Sequence, residues 1–270
     1  MNSFRLTEIN IYPVKSLGGI SLQSAEVTDR GLKYDRRWML VDRGDKFLTQ
    51  RAHPQMALIK TKINGNKLIL SHKTKNISPL VIPIISNIIE TIIVNIWDDL
   101  VTALVVGKYA DEWLSEALDL KCKMVYMPDD ALRYVERNHS TQNEIVSFAD
   151  AYPYLLIGQS SLDDLNSRLK EKLSMNRFRP NLVFSGGNPY EEDLWNEFKI
   201  GNVIFYGIKP CSRCVITTVD QNTAEKREEP LKTLSTYRTV NNNVMFGVNL
   251  LNENNGILKV GDEISVTSRK

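Results

Sequence analysis

Leu80-Val-Ile-Pro-Ile-Ile-Ser-Asn-Ile-Ile-Glu-Thr-Ile-Ile-Val-Asn-Ile-Trp97 is the stretch whose reading decides the fold. Its length and apolar content would suit a membrane span, but Pro83, Asn87, Glu90 and Asn95 interrupt it, and many of its other residues are β-branched. That composition favours a pair of buried or half-buried strands. The N-terminus, Met-Asn-Ser-Phe-Arg-Leu-Thr-Glu, has no apolar signal-peptide core. A soluble, cytoplasmic chain is expected.

Outward from this stretch, the first half continues in the same manner. Residues 6–12, 37–41, 56–63, 67–71 and 88–97 are short β-branched or alternating segments separated by Gly-Gly, Asn-Gly and Arg-Gly-Asp turns. They predict a barrel-like or rolled sheet and lack the strand-then-helix alternation of a doubly wound fold. A helix is predicted over 108–120, with Trp113, Leu114, Ala117 and Leu118 on one face. Another starts near Ser160, where Ser161 and Asp164 have capping-box spacing and Leu162, Leu165, Leu169 and Leu173 form a stripe. Strands follow at 182–185, 203–208, 215–219, 244–250 and 257–266, with a short helix near 230–237. The polar stretch 128–143 reads as a linker, and the domain change is placed between 105 and 130.

The chain has 270 residues, 42% of them apolar and 24% charged, which excludes a mainly disordered chain. Thirty-four Lys plus Arg against 32 Asp plus Glu leave a net charge of +2, too small for a strongly basic nucleic-acid binder. Three cysteines make no disulfide framework and favour a reducing compartment.

Lys209-Pro-Cys-Ser-Arg-Cys-Val-Ile-Thr-Thr-Val-Asp220 is the most informative segment for chemistry. Its C-x-x-C spacing admits half a zinc site, a dithiol pair or iron–sulfur ligands. Cys122, His53, His72 and His139 do not form the second half of a zinc knuckle, and three cysteines cannot ligate a four-cysteine cluster. A thioredoxin-like pair should open a helix, whereas the β-branched run 215–219 follows here. What remains is one exposed thiolate with Arg213 beside it. The plainer alternative is a small buried apolar residue, which suits Cys122 and also fits Cys214 before Val215 and Ile216.

Tyr12-Pro-Val-Lys-Ser16, followed by Leu17-Gly-Gly19, offers a lysine and a hydroxyl at a strand end, suited to an anionic group, without the Walker spacing. Asp35-Arg-Arg-Trp38 offers two arginines, one free to reach a ligand and the other solvated or paired. Arg177, Arg179 and Asn181 form a further group, with the bidentate fork that suits phosphate or a pterin edge. Cations, hydrogen-bonding groups and one soft ligand from distant segments are the composition expected for a large anionic metal cofactor.

These segments also resemble a known family. Tyr12-Pro-Val-Lys-Ser16 and Asp35-Arg-Arg-Trp-Met-Leu40 resemble successive motifs of the MOSC amino-terminal domain. Asn176-Arg-Phe-Arg-Pro-Asn181 and Pro210-Cys-Ser-Arg-Cys-Val-Ile-Thr-Thr-Val-Asp220 resemble the two central motifs of the MOSC domain. By pattern the chain is similar to the mitochondrial amidoxime-reducing component and to bacterial MOSC reductases of N-hydroxylated compounds. The likeness runs from residue 3 to Val260-Gly-Asp-Glu263. It implies a strand-rich, mixed α/β fold, with a MOSC amino-terminal β-rich domain (1–120) packed against a MOSC β-barrel-like domain (121–270).

The resemblance further implies a molybdenum cofactor, the metal held by the molybdopterin dithiolene and by Cys214 as protein ligand and catalytic residue. Cys211 matches a position that need not ligate. Lys15, Ser16, Arg37, Arg179, Asn181, Ser212 and Arg213 match positions that hold the pterin, its phosphate or the inner edge of the site. Asp150, Ser160 and Ser161 match further polar contacts. The implied reaction takes R–NHOH, two electrons and two protons to R–NH2 and water, and no side chain stands out as the general acid. The expectation is a chain without its own iron–sulfur domain or membrane anchor, a monomer with no nucleic-acid or membrane partner. Electrons would then come from a separate ferredoxin, flavodoxin or cytochrome with its reductase. The alternative is a non-catalytic molybdenum cofactor carrier or sulfur-handling protein, since MOSC domains also accompany cysteine desulfurases.

Overall fold

A computed structural model describes residues 3–84, 90–135 and 144–270. Its centre is a closed barrel of seven strands. Phe4–Ile11 lies between Leu182–Ser185 and Glu263–Arg269. From Glu263–Arg269 the pairing runs through Trp195–Ile200, Val203–Ser212 and Asn243–Asn252. Asn243–Asn252 then pairs with Tyr154–Gly158, which closes the ring against Leu182–Ser185. Only the last pairing is parallel, and helix Gln159–Ser167 lies in its crossover. Phe184, Trp195, Phe198, Phe205 and Leu250 fill the interior with Leu6 and Ile9 from the first strand. The closing pair needs Gly247: at φ +77° a Cβ there would meet Ile157 Cγ1 at 2.7 Å and Leu156 O at 2.8 Å.

A second sheet has the order Trp38–Val41, Lys123–Tyr126, Asp99–Val105, Thr91–Ile96. Helix Lys108–Leu118 buries Ala110, Leu114, Ala117 and Leu118 in a core shared with Trp38, Leu40 and Met124. The meander Ile59–Asn64, Lys67–His72, Leu80–Pro83 adds Leu68, Leu70 and Ile82 to that core. Hydrogen bonding crosses residue 120 in both directions. The first strand belongs to the barrel, Ser24–Thr28 pairs with Gly256–Lys259, and Lys123–Tyr126 belongs to the sheet of the first half.

Several expected elements differ in form. The apolar stretch 80–97 supplies two strands, but each pairs with its own hairpin partner in a different sheet; residues 85–89 lie outside the described residues. Residues 215–219, expected as a strand, form the short 3-10 helix Val215–Thr218, because the Thr217 amide and hydroxyl both donate to Cys214 O. The helix near Ser160 ends at Ser167, leaving Leu169 and Leu173 beyond it. No capping box forms there, since Ser161 Oγ is committed to Glu192. Residues 54–58 are a 3-10 turn opened by Pro54, and 257–266 splits into Gly256–Lys259 and Glu263–Arg269, where Asp262 Oδ2 accepts the Lys259 amide. Of the expected linker, 136–143 lies outside the described residues. No helix among the described residues is long and apolar enough to cross a membrane.

Candidate functional site

Strand Val203–Ser212 carries the cysteine pair out of the barrel. Two register shifts against Asn243–Asn252, at 207–209 and 210–212, turn its end away from regular pairing. The chain then enters the 3-10 turn that presents Cys214. Arg177, only 3% exposed, locks this turn from behind by donating to Thr217 O, Thr218 O and Asp220 Oδ2 at 2.9–3.2 Å.

Cys214 opens into a cleft of about 450 Å³. The lining includes six basic side chains, Lys15, Arg36, Arg51, Arg179, Lys209 and Arg213, against one acid, Asp150. In a chain of net charge +2, that concentration defines a local anion-binding surface. Lys15 is buried and donates to Phe148 O at 2.8 Å and to Asp150 Oδ1 at 2.5 Å. Burial lowers its pKa to about 8, against the pull of Asp150. The surrounding protein desolvates Asp150, but Lys15 and Arg51 outweigh that and hold its carboxyl well below the ordinary range. Arg133 fixes the backbone under Asp150 by donating to Ala149 O and Asp150 O.

Arg51 joins the parts of the site. Its Nη1 lies 3.8 Å from Cys214 Sγ and 3.5 Å from Asp150 Oδ2, and its guanidinium stacks on Trp97 at 4.5 Å. Opposite, Tyr12 lies between two guanidiniums, Arg36 at 4.5 Å and Arg179 at 4.1 Å. Arg179 is 6% exposed, bonds Leu17 O at 2.7 Å and is pulled by burial to about 10, so it stays charged at neutral pH.

The structure therefore brings Lys15, Ser16, Asp150, Arg179, Asn181, Ser212, Arg213 and Cys214 to one cleft. Within it, some groups are already committed to protein partners. Asn181 accepts from Arg36 and the Leu155 amide and donates to Asn10 O. Ser16 takes φ +66° and offers its carbonyl to Gln50. Ser212 Oγ donates to Asn243 at the rim. Arg213, expected beside Cys214, instead donates to Cys211 Sγ at 3.1 Å and to Phe178 O at 2.7 Å.

Three expected residues lie elsewhere. Arg37 points to the opposite side of the chain from Arg36 and bonds Tyr126 OH, Met127 O and Asp129 Oδ1. Arg36, at φ +49°, is the member of the pair that lines the cleft. Ser160 and Ser161 sit on the crossover helix, where Ser160 bonds Asn188 O and Ser161 bonds the buried Glu192. Sequence reasoning missed Arg51, Trp97 and Thr49. Residues 48–51 carry no spacing relation to the cysteine pair, so only the fold reveals them.

Fold and site together define a strand-rich barrel protein with a cationic cleft lined by two free cysteines, Cys211 and Cys214. Residues 3–121 match the MOSC N-terminal beta barrel domain and residues 143–265 the MOSC domain. Mitochondrial amidoxime-reducing component 1 of Mus musculus is 33% identical over 96% of this chain and 81% of its own length. The Homo sapiens protein of that name is 32% identical over 96% and 82%. A molybdenum cofactor sulfurase of Solanum lycopersicum is 31% identical over 96% of this chain, which spans only 35% of that protein. This chain belongs to the MOSC family.

Proposed function

We propose that this chain is a cytoplasmic molybdenum-cofactor-dependent oxidoreductase that reduces N-hydroxylated compounds (hydroxylamines, amidoximes, N-hydroxylated bases) to the amine and water. Electrons come from a separate ferredoxin-, flavodoxin- or cytochrome-type protein. The observation that carries this reading is Cys214 Sγ in a cleft lined by six basic side chains. The donor set suits the group: Cys214 as soft sulfur, with Cys211 Sγ accepting from Arg213, cations for a phosphate, and Arg213 Nε buried with no protein partner among the described residues. Cys214 holds the metal, while Lys15, Arg36, Arg51, Arg179 and Arg213 hold the anionic remainder. When bound, the cofactor would supply the two-electron redox chemistry.

The protein's own groups bind and position. Asp150, held ionised, accepts a hydrogen bond from the substrate's N–H or O–H rather than donating a proton. Lys15 Nζ, donating to Phe148 O and Asp150 Oδ1, fixes that carboxylate in place. Overall, R–NHOH, two electrons and two protons give R–NH2 and water. The test is molybdenum per chain after expression in a host that makes molybdopterin, with Cys214→Ala as control, then hydroxylamine reduction with an artificial donor. Near one molybdenum per wild-type chain, little in the variant and turnover are expected. A folded chain from a competent host without molybdenum overturns the reading. The likeness to the sulfurase keeps a second reading in view, a cofactor carrier or sulfur-handling protein, which would bind molybdenum without turnover.

A further inference from the structure

Beside the Cys214 cleft opens a second hollow of about 880 Å³, and Asp150 and Ala151 form the rim common to both. Its walls carry Trp97, Leu100, Leu132 and Tyr134, exposed by 45%, 73%, 57% and 52%. Exposed apolar side chains are ordinary when scattered, but four gathered around one concavity call for an occupant. Trp97 stands between the two hollows. It occupies the tip of the hairpin Thr91–Ile96/Asp99–Val105 at φ +55°, a conformation that favours Gly or Asn. Its indole is held by the Arg51 stack and by a 3.4 Å bond to Asp150 Oδ1. A bulky side chain in a left-handed turn, tied to two residues of the cleft, is a built wall.

We infer that this hollow receives the apolar substituent, aryl or branched alkyl, of the N-hydroxylated substrate, whose N–O end reaches over Asp150 and Ala151 to Cys214. The inference rests on the reductase reading. A concavity of this size, continuous with the site, suits a small molecule. Of its acids, Asp99 is paired with Arg133, and Asp150 at the rim with Lys15 and Arg51.

The test uses an artificial donor and a series from hydroxylamine through methyl to aryl amidoximes, on the loaded wild type and on the Leu100→Asp/Leu132→Asp double variant. Burial of roughly 60 Å² of apolar surface predicts a KM about tenfold lower for aryl than for methyl in the wild type. In the double variant the dependence on substituent size should disappear. Titration of the protein's tryptophan fluorescence with aryl and methyl amidines reads the same preference without turnover. A wild type indifferent to substituent in both measurements, or a variant with the same dependence, overturns the inference. A double variant impaired only towards a protein donor would make the hollow a docking face and also overturn it. If hydroxylamine itself is not reduced, the reductase reading fails, while the amidine titration still decides the hollow.

Discussion

Lys15 and Asp150 are the residues on which the cleft's charge turns. A lysine pKa of about 8 means that the cleft carries one positive charge more at pH 7 than at pH 9. Retention of an anionic cofactor, or titration of the cofactor-free protein with pyrophosphate, should therefore weaken as pH rises through about 8. The loss should be about ten- to a hundredfold, and Lys15→Arg should remove the inflection. An equal inflection in the variant would assign the titration to another group. Arg51 makes a separate prediction, because it touches both Cys214 Sγ and Asp150. Arg51→Ala should lower kcat/KM by about ten- to a hundredfold and change the alkylation rate of Cys214 in a cofactor-free Cys211→Ser background. A purely structural role would leave alkylation unmoved. Arg51→Lys should not restore the wild-type rate, since an ammonium cannot stack on Trp97 and span both partners. The sequence exposed Lys15 and Cys214 because each sits in a motif of unusual composition. The residues alone left Arg36 and Arg37 open and the resemblance named Arg37, but a positive-φ turn faces Arg36 into the cleft. Arg51 has no neighbouring signal and enters the site only through long-range packing.

At the scale of elements, the turn between strands Leu182–Ser185 and Trp195–Ile200 holds a buried carboxylate. Glu192 is 0% exposed, accepts from the Gly158 amide and Ser161 Oγ at 2.9–3.1 Å, and is pushed by burial to about 7. Its folded pKa exceeds that of the unfolded chain, so the folded state binds the proton more tightly. The stability contributed by protonated Glu192 is present below about 4.5 and is lost as pH rises through about 7. Denaturant titrations at pH 5 and pH 8 should show a loss on the order of 3 kcal/mol from this group. Glu192→Gln should flatten that change and exceed the wild type in stability at pH 8. If the variant keeps the full pH dependence, another group is responsible. This pairing also explains why the capping-box spacing at Ser161 misleads: a buried acid thirty-one residues away competes for the hydroxyl and wins. The helix over 108–118 was legible because its apolar face repeats cleanly, whereas 215–219 was not. β-branched residues favour a strand, but Arg177 collects the Thr217 and Thr218 carbonyls and holds them in a turn.

For the whole molecule, the two family segments are consecutive in sequence but interleaved in hydrogen bonding. Phe4–Ile11 occupies a place in the barrel between Leu182–Ser185 and Glu263–Arg269, and Ser24–Thr28 covers Gly256–Lys259. A strand's alternating pattern marks its faces but not its neighbours, which is why the barrel was legible as a class of fold and its strand order was not. The consequence is energetic. Removing residues 1–120 would open the ring at one place, expose two strand edges, and strip Leu6, Ile9 and Ile11 from the core around Trp195 and Phe198. Each buried aliphatic side chain contributes roughly 1.5–3 kcal/mol, so losing three removes about as much as the net stability of an ordinary domain. Residues 121–270 expressed alone should therefore lack a dispersed amide NMR spectrum and should aggregate. The intact chain should unfold in one calorimetric transition whose van't Hoff and calorimetric enthalpies agree. A well-dispersed spectrum from 121–270, or two separate transitions in the intact chain, would show that the halves fold independently. The cleft shares this dependence, because Lys15, Arg36 and Arg51 come from the first segment and Asp150, Arg179 and Cys214 from the second. Loss of pairing across the two segments should then release an anionic ligand together with melting of the barrel, so pyrophosphate binding and circular dichroism should fall at the same urea concentration.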